Sequence, residues 1–284
     1  MTEHDNPYDW LADVHADDHR WAYGTGFTDP LAGIDTSVPE GMDADALATY
    51  CVALGDDALI YSHRLQQWIT RMPELEEETA LANIALDLLG QARMLLSRAG
   101  AIRGRTEDEL AFFRDEPQFR NVRLVERADQ DFAEVVGRLL VFSSWRLAVF
   151  ERVTDSADPV LAAIGAKGMA ELTYHRDYAA QWVIRLGDGT ELSKQRMQAA
   201  LRTIWPYVDE LFRPHPVDLV PIQRGEVDVV LDTVFATAGL DRPDVAPLAL
   251  VGGRAGRDGV HTEALGYVLA ELQSLPRAHP DATW

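Results

Sequence analysis

Three observations predict an all-α fold for this chain of 284 residues. Apolar residues recur at helical spacing through four long segments, roughly 46–71, 74–99, 130–154 and 160–186. The second and third are joined by the long segment 100–129. No stretch alternates with a period of two, and nothing resembles a βαβ unit. A long crossover after the second helix is a feature of ferritin-like bundles. The expected architecture is therefore a ferritin-like helical bundle with additional C-terminal helices.

The elements follow in order. Residues 1–45 hold eleven acidic residues and one base, Arg20, with several Gly and Pro and no sustained period. They read as an acidic, flexible leader, and 46–284 as the helical domain. A purely solvating tail seldom carries Trp10, Trp21, Tyr23 and Phe27, which suit docking on a neighbouring subunit. The first helix, Met42–Arg71, opens with acids and is stopped by Pro73. The second, Glu74–Ala99, has acids in its first turn, where the helix dipole is positive, and Gly100 is placed to cap it. The third is Ala128–Thr154, broken at Asp158-Pro159. The fourth is Pro159–Leu186, closed by Gly187-Asp188-Gly189. Glu191–Phe212 is expected to bend near Pro206, and Pro214–Pro221 to be extended. Glu226–Thr237 and His261–Arg277 read as a short and a last helix. No linker after residue 45 marks a second domain.

Composition removes several function classes. The net charge of −20 opposes nucleic-acid phosphates and anionic membrane surfaces. No apolar run approaches the ~18–20 residues of a membrane span. The N-terminus has neither the basic nor the apolar region of a secretory signal. One cysteine, Cys51, allows no intrachain disulfide, which is consistent with a cytoplasmic location. No G-x-x-x-x-G-K-[ST] or G-x-S-x-G occurs, and the glycine-rich stretch Gly252–Gly259 reads as a turn before the last helix.

Polar stripes inside the apolar helices carry what chemistry there is. Asn83, Asp87 and Gln91 stand four apart on the second helix, and Lys167, Glu171 and His175 on the fourth. Asp56, His63 and Gln67 fall close together on the first. A buried polar group without a partner costs about 1–3 kcal/mol, so each stripe needs the others or a metal. Ferritin-like dinuclear sites take a Glu from each of two helices and a Glu-x-x-His from each of the other two. None of the eight histidines has a glutamate three residues before it. Only His261 has an acid there, Asp258, outside the trunk. A structural hydrogen-bond network among Asp56, His63, Asn83, Asp87, Gln91, Lys167, Glu171 and His175 is the favoured reading. A dinuclear site from Asp56, Asp87, Glu171, His63 and His175 is the alternative.

Four segments carry a family resemblance: ALANIALDLLGQAR (80–93), AFFRDEPQFRNVRLVE (111–126), DPVLAAIGAK to ELTYHRDYAAQWVIRLGDGT (158–190), and GVHTEALGYVLAELQSLPRAHPDATW (259–284). Over about 46–284 the chain resembles the structural subunits of bacterial ring-1,2-phenylacetyl-CoA epoxidases, in the PaaA/PaaC family. The resemblance implies a multisubunit monooxygenase of phenylacetate catabolism. A catalytic PaaA-type subunit would hold the diiron centre, joined by a small PaaB-type subunit and a reductase with FAD and an iron–sulfur cluster. NADPH and O₂ would be consumed, and two catalytic and two structural chains would form a heterotetramer.

The resemblance also places the catalytic subunit's two Glu-x-x-His motifs on Leu88 to Gln91 and Leu172 to His175, with Ser143 and Ser144 where an inward acid is wanted on the third helix. Leucine cannot ligate iron, so the expectation is no catalytic residue and no cofactor in this chain. A third reading, sequestration or delivery of phenylacetyl-CoA, would need a basic cluster, for which Arg254, Arg257 and Arg277 are candidates. For the partner interface the expectation is the last segment: His261, Thr262, Glu263, Gly266 and Trp284. A locally satisfied terminal helix is the competing account.

Overall fold

A computed structural model describes residues 33–220 and 222–282, and the expected helices form in it with shifted ends. α1 (Ala44–Gln66) starts on Asp43, whose carboxylate accepts from the N–H groups of Asp45 and Ala46. It gives way to a 3-10 turn, Ile69–Arg71, before Pro73. α2 (Leu75–Arg103) overruns its expected end: Gly100 lies inside the helix, and the cap is Gly104 at φ +66°. Gly100 answers a different need, because a Cβ there would lie 2.3 Å from the Arg105 carbonyl oxygen.

α3 (Glu107–Phe112) goes beyond the sequence expectation. Six residues are too few for a hydrophobic period to show, and its one signal is the capping box Thr106-x-x-Glu109. α4 (Phe132–Val153) is capped by Asp131, and α5 (Pro159–Gly187) by Asp158 with Pro159 in its first turn. α6 (Glu191–Ile204) ends before Pro206, and two 3-10 turns replace the expected continuation to 212. α7 (Arg224–Ala238) and α8 (Glu263–Ala278) follow. Among the described residues the one β-type pairing is the Val251–Arg254 bridge over Gly252-Gly253.

Burial sorts the helices into layers. Of the residues in α1 and α4, 17 of 23 and 17 of 22 are buried, so both are covered on nearly every side. In α2 and α5 only 11 of 29 and 10 of 29 are buried, so each keeps an open face. α2 packs along α1, α5 along α4, and α2 against α5, completing a four-helix trunk. The crossover and α8 cover α1. α6 and α7 cover α4 and also touch α5. The additional C-terminal helices therefore close the trunk over α1 and over the α4/α5 pair, leaving α2 uncovered by them.

Close approach of α4 and α5 depends on Gly168, where a Cβ would fall 2.5 Å from the Phe150 ring. Gly168→Ala is expected to lower stability by about 1–3 kcal/mol through overpacking, read by urea unfolding. An unchanged midpoint would show that Phe150 can swing away freely.

Buried ions and amides tie down the crossover, which has little regular structure to satisfy its own polar groups. Asp56 accepts from Arg114 Nη1 at 3.0 Å and from the Arg120 N–H at 2.8 Å. Asp57 accepts from the Val122 N–H at 2.8 Å and from Arg257 Nη1 and Nη2 at 2.9 and 2.8 Å. Arg123 Nε donates to Glu210 at 2.6 Å, and Arg138 pairs with Asp129.

On the N-terminal side, Arg98 pairs with Asp158 and donates to the Thr36 carbonyl at 2.5 Å. Residues from Asp35 onward belong to the same compact unit as the helices. Trp10, Trp21, Tyr23 and Phe27, on which leader docking was expected, lie outside the described residues. No described helix is long and apolar enough to cross a membrane.

Candidate functional site

The two stripes on α2 and α5 meet because these helices run antiparallel, and their polar side chains pair as rungs. Glu77 accepts from Trp182 Nε1 at 2.9 Å and from the Tyr178 hydroxyl. Asp87 Oδ2 lies 3.0 Å from His175 Nε2. Gln91 Nε2 donates to Glu171 Oε2 at 2.9 Å. Lys167 reaches Glu171 at 3.9 Å from the exposed side, a helix-face pair of small energetic weight.

α4 supplies the centre. Arg146 is fully buried, and its Nε donates to Gln91 Oε1 at 2.9 Å while Nη1 donates to the Leu54 carbonyl of α1 at 3.2 Å. Its guanidinium carbon stands 4.5 Å from the Phe150 ring centroid and 5.7 Å from that of Phe142. Burial pulls its pKa down to about 10, with Asp57 acting in the opposite sense, so it stays protonated at neutral pH. Burial also raises the Glu171 carboxyl above its usual range. The Gln91 amide is thus polarised, oxygen toward a cation and nitrogen toward a carboxylate. Sequence reading missed Arg146 and looked instead at Ser143 and Ser144, which are buried; Ser143 donates to the Leu139 carbonyl within α4 at 2.6 Å.

These residues do not fit a dinuclear metal centre. Leu88 and Leu172, which stand where carboxylates would be needed, are fully buried hydrocarbon. Gln91 is committed at both ends of its amide, and a guanidinium occupies the space beside it. The orphaned polar atoms in the trunk include His175 Nδ1, Arg146 Nη2, the Ser144 hydroxyl and the Tyr50 and Tyr61 hydroxyls, none of them a carboxylate. They add no bridging carboxylate of the kind a metal pair requires. Among the described residues no group of three His, Cys, Asp or Glu could hold an ion.

Other expected members of the network lie elsewhere. Asp56 is buried but turned to the crossover, paired with Arg114. His63 lies 3.3 Å from Glu271 of α8, and Gln67 donates to the same carboxylate at 2.6 Å. Asn83, expected in the buried network, is exposed, because it falls on the outer side of α2. The alternative five-residue metal set is therefore split among three places.

Glu271 offers a pH prediction. Hydrogen bonds from Gln67 and His63 hold its carboxyl below the ordinary glutamate range. A depressed folded-state pKa stabilises above the unfolded value, about 4.3, and that contribution is lost as pH falls through the folded value. Amide exchange in α8, corrected for intrinsic rates, is expected to quicken modestly near pH 4. The change should be absent in Glu271→Gln.

The C-terminal segment expected at a partner interface is used within the chain. His261 Nδ1 lies 2.7 Å from Glu126, and its Nε2 3.1 Å from the Phe119 carbonyl. Thr262 donates to Glu126 through its N–H at 2.7 Å and its hydroxyl at 2.6 Å. A Cβ on Gly266 would stand 3.2 Å from Glu116. Glu263 is exposed, and Trp284 lies outside the described residues. The basic cluster required for a CoA phosphate does not assemble either: Arg257 is consumed by Asp57 and Arg277 by Asp115 and two carbonyls.

The outer face of α2 and α5 is different. Leu86 is 59% and Tyr174 49% exposed, and the antiparallel register sets them near each other, with Gly90 near Ala170. Exposed polar residues of the same helices, Asn83 and Lys167, accompany them.

Comparison with known proteins agrees with the segments singled out above. A family model described as "Phenylacetic acid catabolic protein" matches residues 35–284. The chain is also similar to one of the subunits of the 1,2-phenylacetyl-CoA epoxidase of Escherichia coli (strain K12). The two are 42% identical over 246 residues, covering 84% of this chain and 99% of the other.

Proposed function

From the fact that this chain belongs to the phenylacetic acid catabolic protein family, we propose that it is a non-catalytic structural subunit of a multicomponent epoxidase acting on phenylacetyl-CoA. The observation that carries this reading is the trunk centre. Leucines stand where carboxylate ligands are needed, and Arg146 is hydrogen-bonded to Gln91 at 2.9 Å. A bundle so built has no place to activate O₂, so the redox work falls to other chains. These would be a homologous catalytic subunit with diiron, a small third subunit, and a reductase using NADPH, FAD and an iron–sulfur cluster. The open α2/α5 face is the surface offered to the catalytic subunit, helix pair against helix pair, with two such pairs in the full assembly.

Co-expression with the catalytic subunit, followed by separation and elemental analysis, tests the proposal. The expected result is a tight complex, iron confined to the catalytic chain, and loss of turnover when this chain is omitted. About two iron or manganese ions on this chain would refute it, as would full turnover by the catalytic subunit and reductase alone.

A further inference from the structure

We infer that Arg146 is a permanent internal cation standing in for a metal pair, so that this trunk excludes divalent ions even where carboxylate ligands are restored. The inference rests on the structural-subunit reading and deepens it. Missing ligands alone would leave an ion poorly held, whereas Arg146 accounts for what would keep the polar interior in balance without one.

The placement argues for it. Arg146 reaches from α4 to α1 through the Leu54 carbonyl and to α2 through Gln91, touching three of the four trunk helices from one side chain. The fourth, α5, is joined through Gln91 to Glu171. The chain of contacts therefore runs cation, amide, carboxylate across the bundle. In ferritin-like metal sites the ions perform that task, each accepting side chains from several helices. A guanidinium is suited to it, since it donates in several directions and stays charged when buried. Two aromatic faces flank it, and Asp57, with its partner Arg257, acts on it from α1.

An ion ligated by a side chain at position 91, or by Glu171, would sit within a few ångströms of this charge. At the reduced dielectric of a bundle core, repulsion between a unit charge and a divalent ion at such distances weakens binding on the order of 10³-fold or more. Replacing leucine by glutamate does not remove that barrier. Removing Arg146 does.

The experiment compares two variants of the full chain, L88E/Q91H/L172E and the same triple with R146E added. Each is dialysed anaerobically against Co(II), Mn(II) and Fe(II) and analysed for metal. The expected result is less than a tenth of an ion per chain in the triple and about one or more in the quadruple. Uptake by both variants, or by neither once both are shown to be folded by circular dichroism, overturns the inference.

A second measurement stands apart from folding of the redesigned variants. In R146M the Glu171 carboxyl, followed by carbon NMR, should titrate at higher pH than in the parent chain, while R146K should keep the parent midpoint. A midpoint unmoved in R146M overturns the inference, because a packing role alone leaves Glu171 untouched. Failure here leaves the structural-subunit reading standing. That reading fails on metal in the unsubstituted chain, which this comparison does not probe.

Discussion

Asp57→Ala is expected to unfold this protein at temperatures where the parent chain is stable. Asp57 is fully buried and receives three hydrogen bonds of 2.8–2.9 Å, two of them from Arg257. Arg257 is itself buried and also donates to the Ala53 carbonyl at 3.1 Å and the Arg120 carbonyl at 2.6 Å. Removing the carboxylate leaves a buried guanidinium whose nearest remaining counter-charge is Asp218 at 3.6 Å, with no bidentate partner, at a cost of up to about 3–5 kcal/mol. For a chain of this size that corresponds to a fall in Tm of roughly 6–20 °C. Burial acts to raise the Asp57 pKa, and the Arg257 charge opposes it. The pair is thus held together against desolvation, and much of the loss comes from the partner left behind. The double variant D57A/R257M should therefore recover a large part of the lost stability. Equal destabilisation in the single and double variants would show that packing of the two side chains, and not an uncompensated charge, sets the cost.

Leu86→Asp together with Tyr174→Asp is expected to separate the chain from the catalytic subunit proposed as its partner, without unfolding it. Both side chains are about half or more exposed, so the isolated chain should change by no more than about 0.5 kcal/mol per site. If this face meets the proposed partner, two carboxylates in place of its exposed apolar side chains would weaken association by about 10²-fold or more. Size-exclusion chromatography of mixed subunits and calorimetric titration read the two effects separately. A complex that forms with unchanged affinity would mean that the catalytic subunit sits elsewhere, and Glu263 with its exposed neighbour Tyr267 would be the next surface to substitute.

The four trunk helices were legible because their apolar period is long and their ends carry capping residues. Pro73, Asp158 with Pro159, and Gly187-Asp188-Gly189 are local signals, and local signals survive in sequence. Even there, which of two glycines ends α2 depended on how closely residue 105 folds back, which no window of sequence shows. The rungs Asp87–His175 and Gln91–Glu171 were readable as matching stripes, since both helices place polar residues four apart. Arg146 was not, because it lies alone between Trp145 and Leu147 and belongs to no stripe. Its role becomes visible only when α1, α2 and α4 are brought together.

Asn83 was misplaced because spacing puts residues on a common line along a helix without saying how far around that line turns from the core. The crossover was the least legible part. Its conformation depends on Asp56, Asp57, Glu210 and Arg257, which are 58 to 200 residues away from the groups they bind.

The Asp57–Arg257 pair spans 200 residues, and Glu126 waits for His261 and Thr262 more than 130 residues later. While the ribosome is still translating, the first hairpin of helices can form and Asp56, Asp57 and Arg138 can engage the segment that follows it, but the bonds from Arg257, His261 and Thr262 must wait for the C-terminal segment. Contacts of such long sequence separation slow acquisition of the native state and lengthen exposure of apolar surface. A truncation ahead of Arg257 therefore removes the bonds from Arg257, His261 and Thr262 that latch a region synthesised long before.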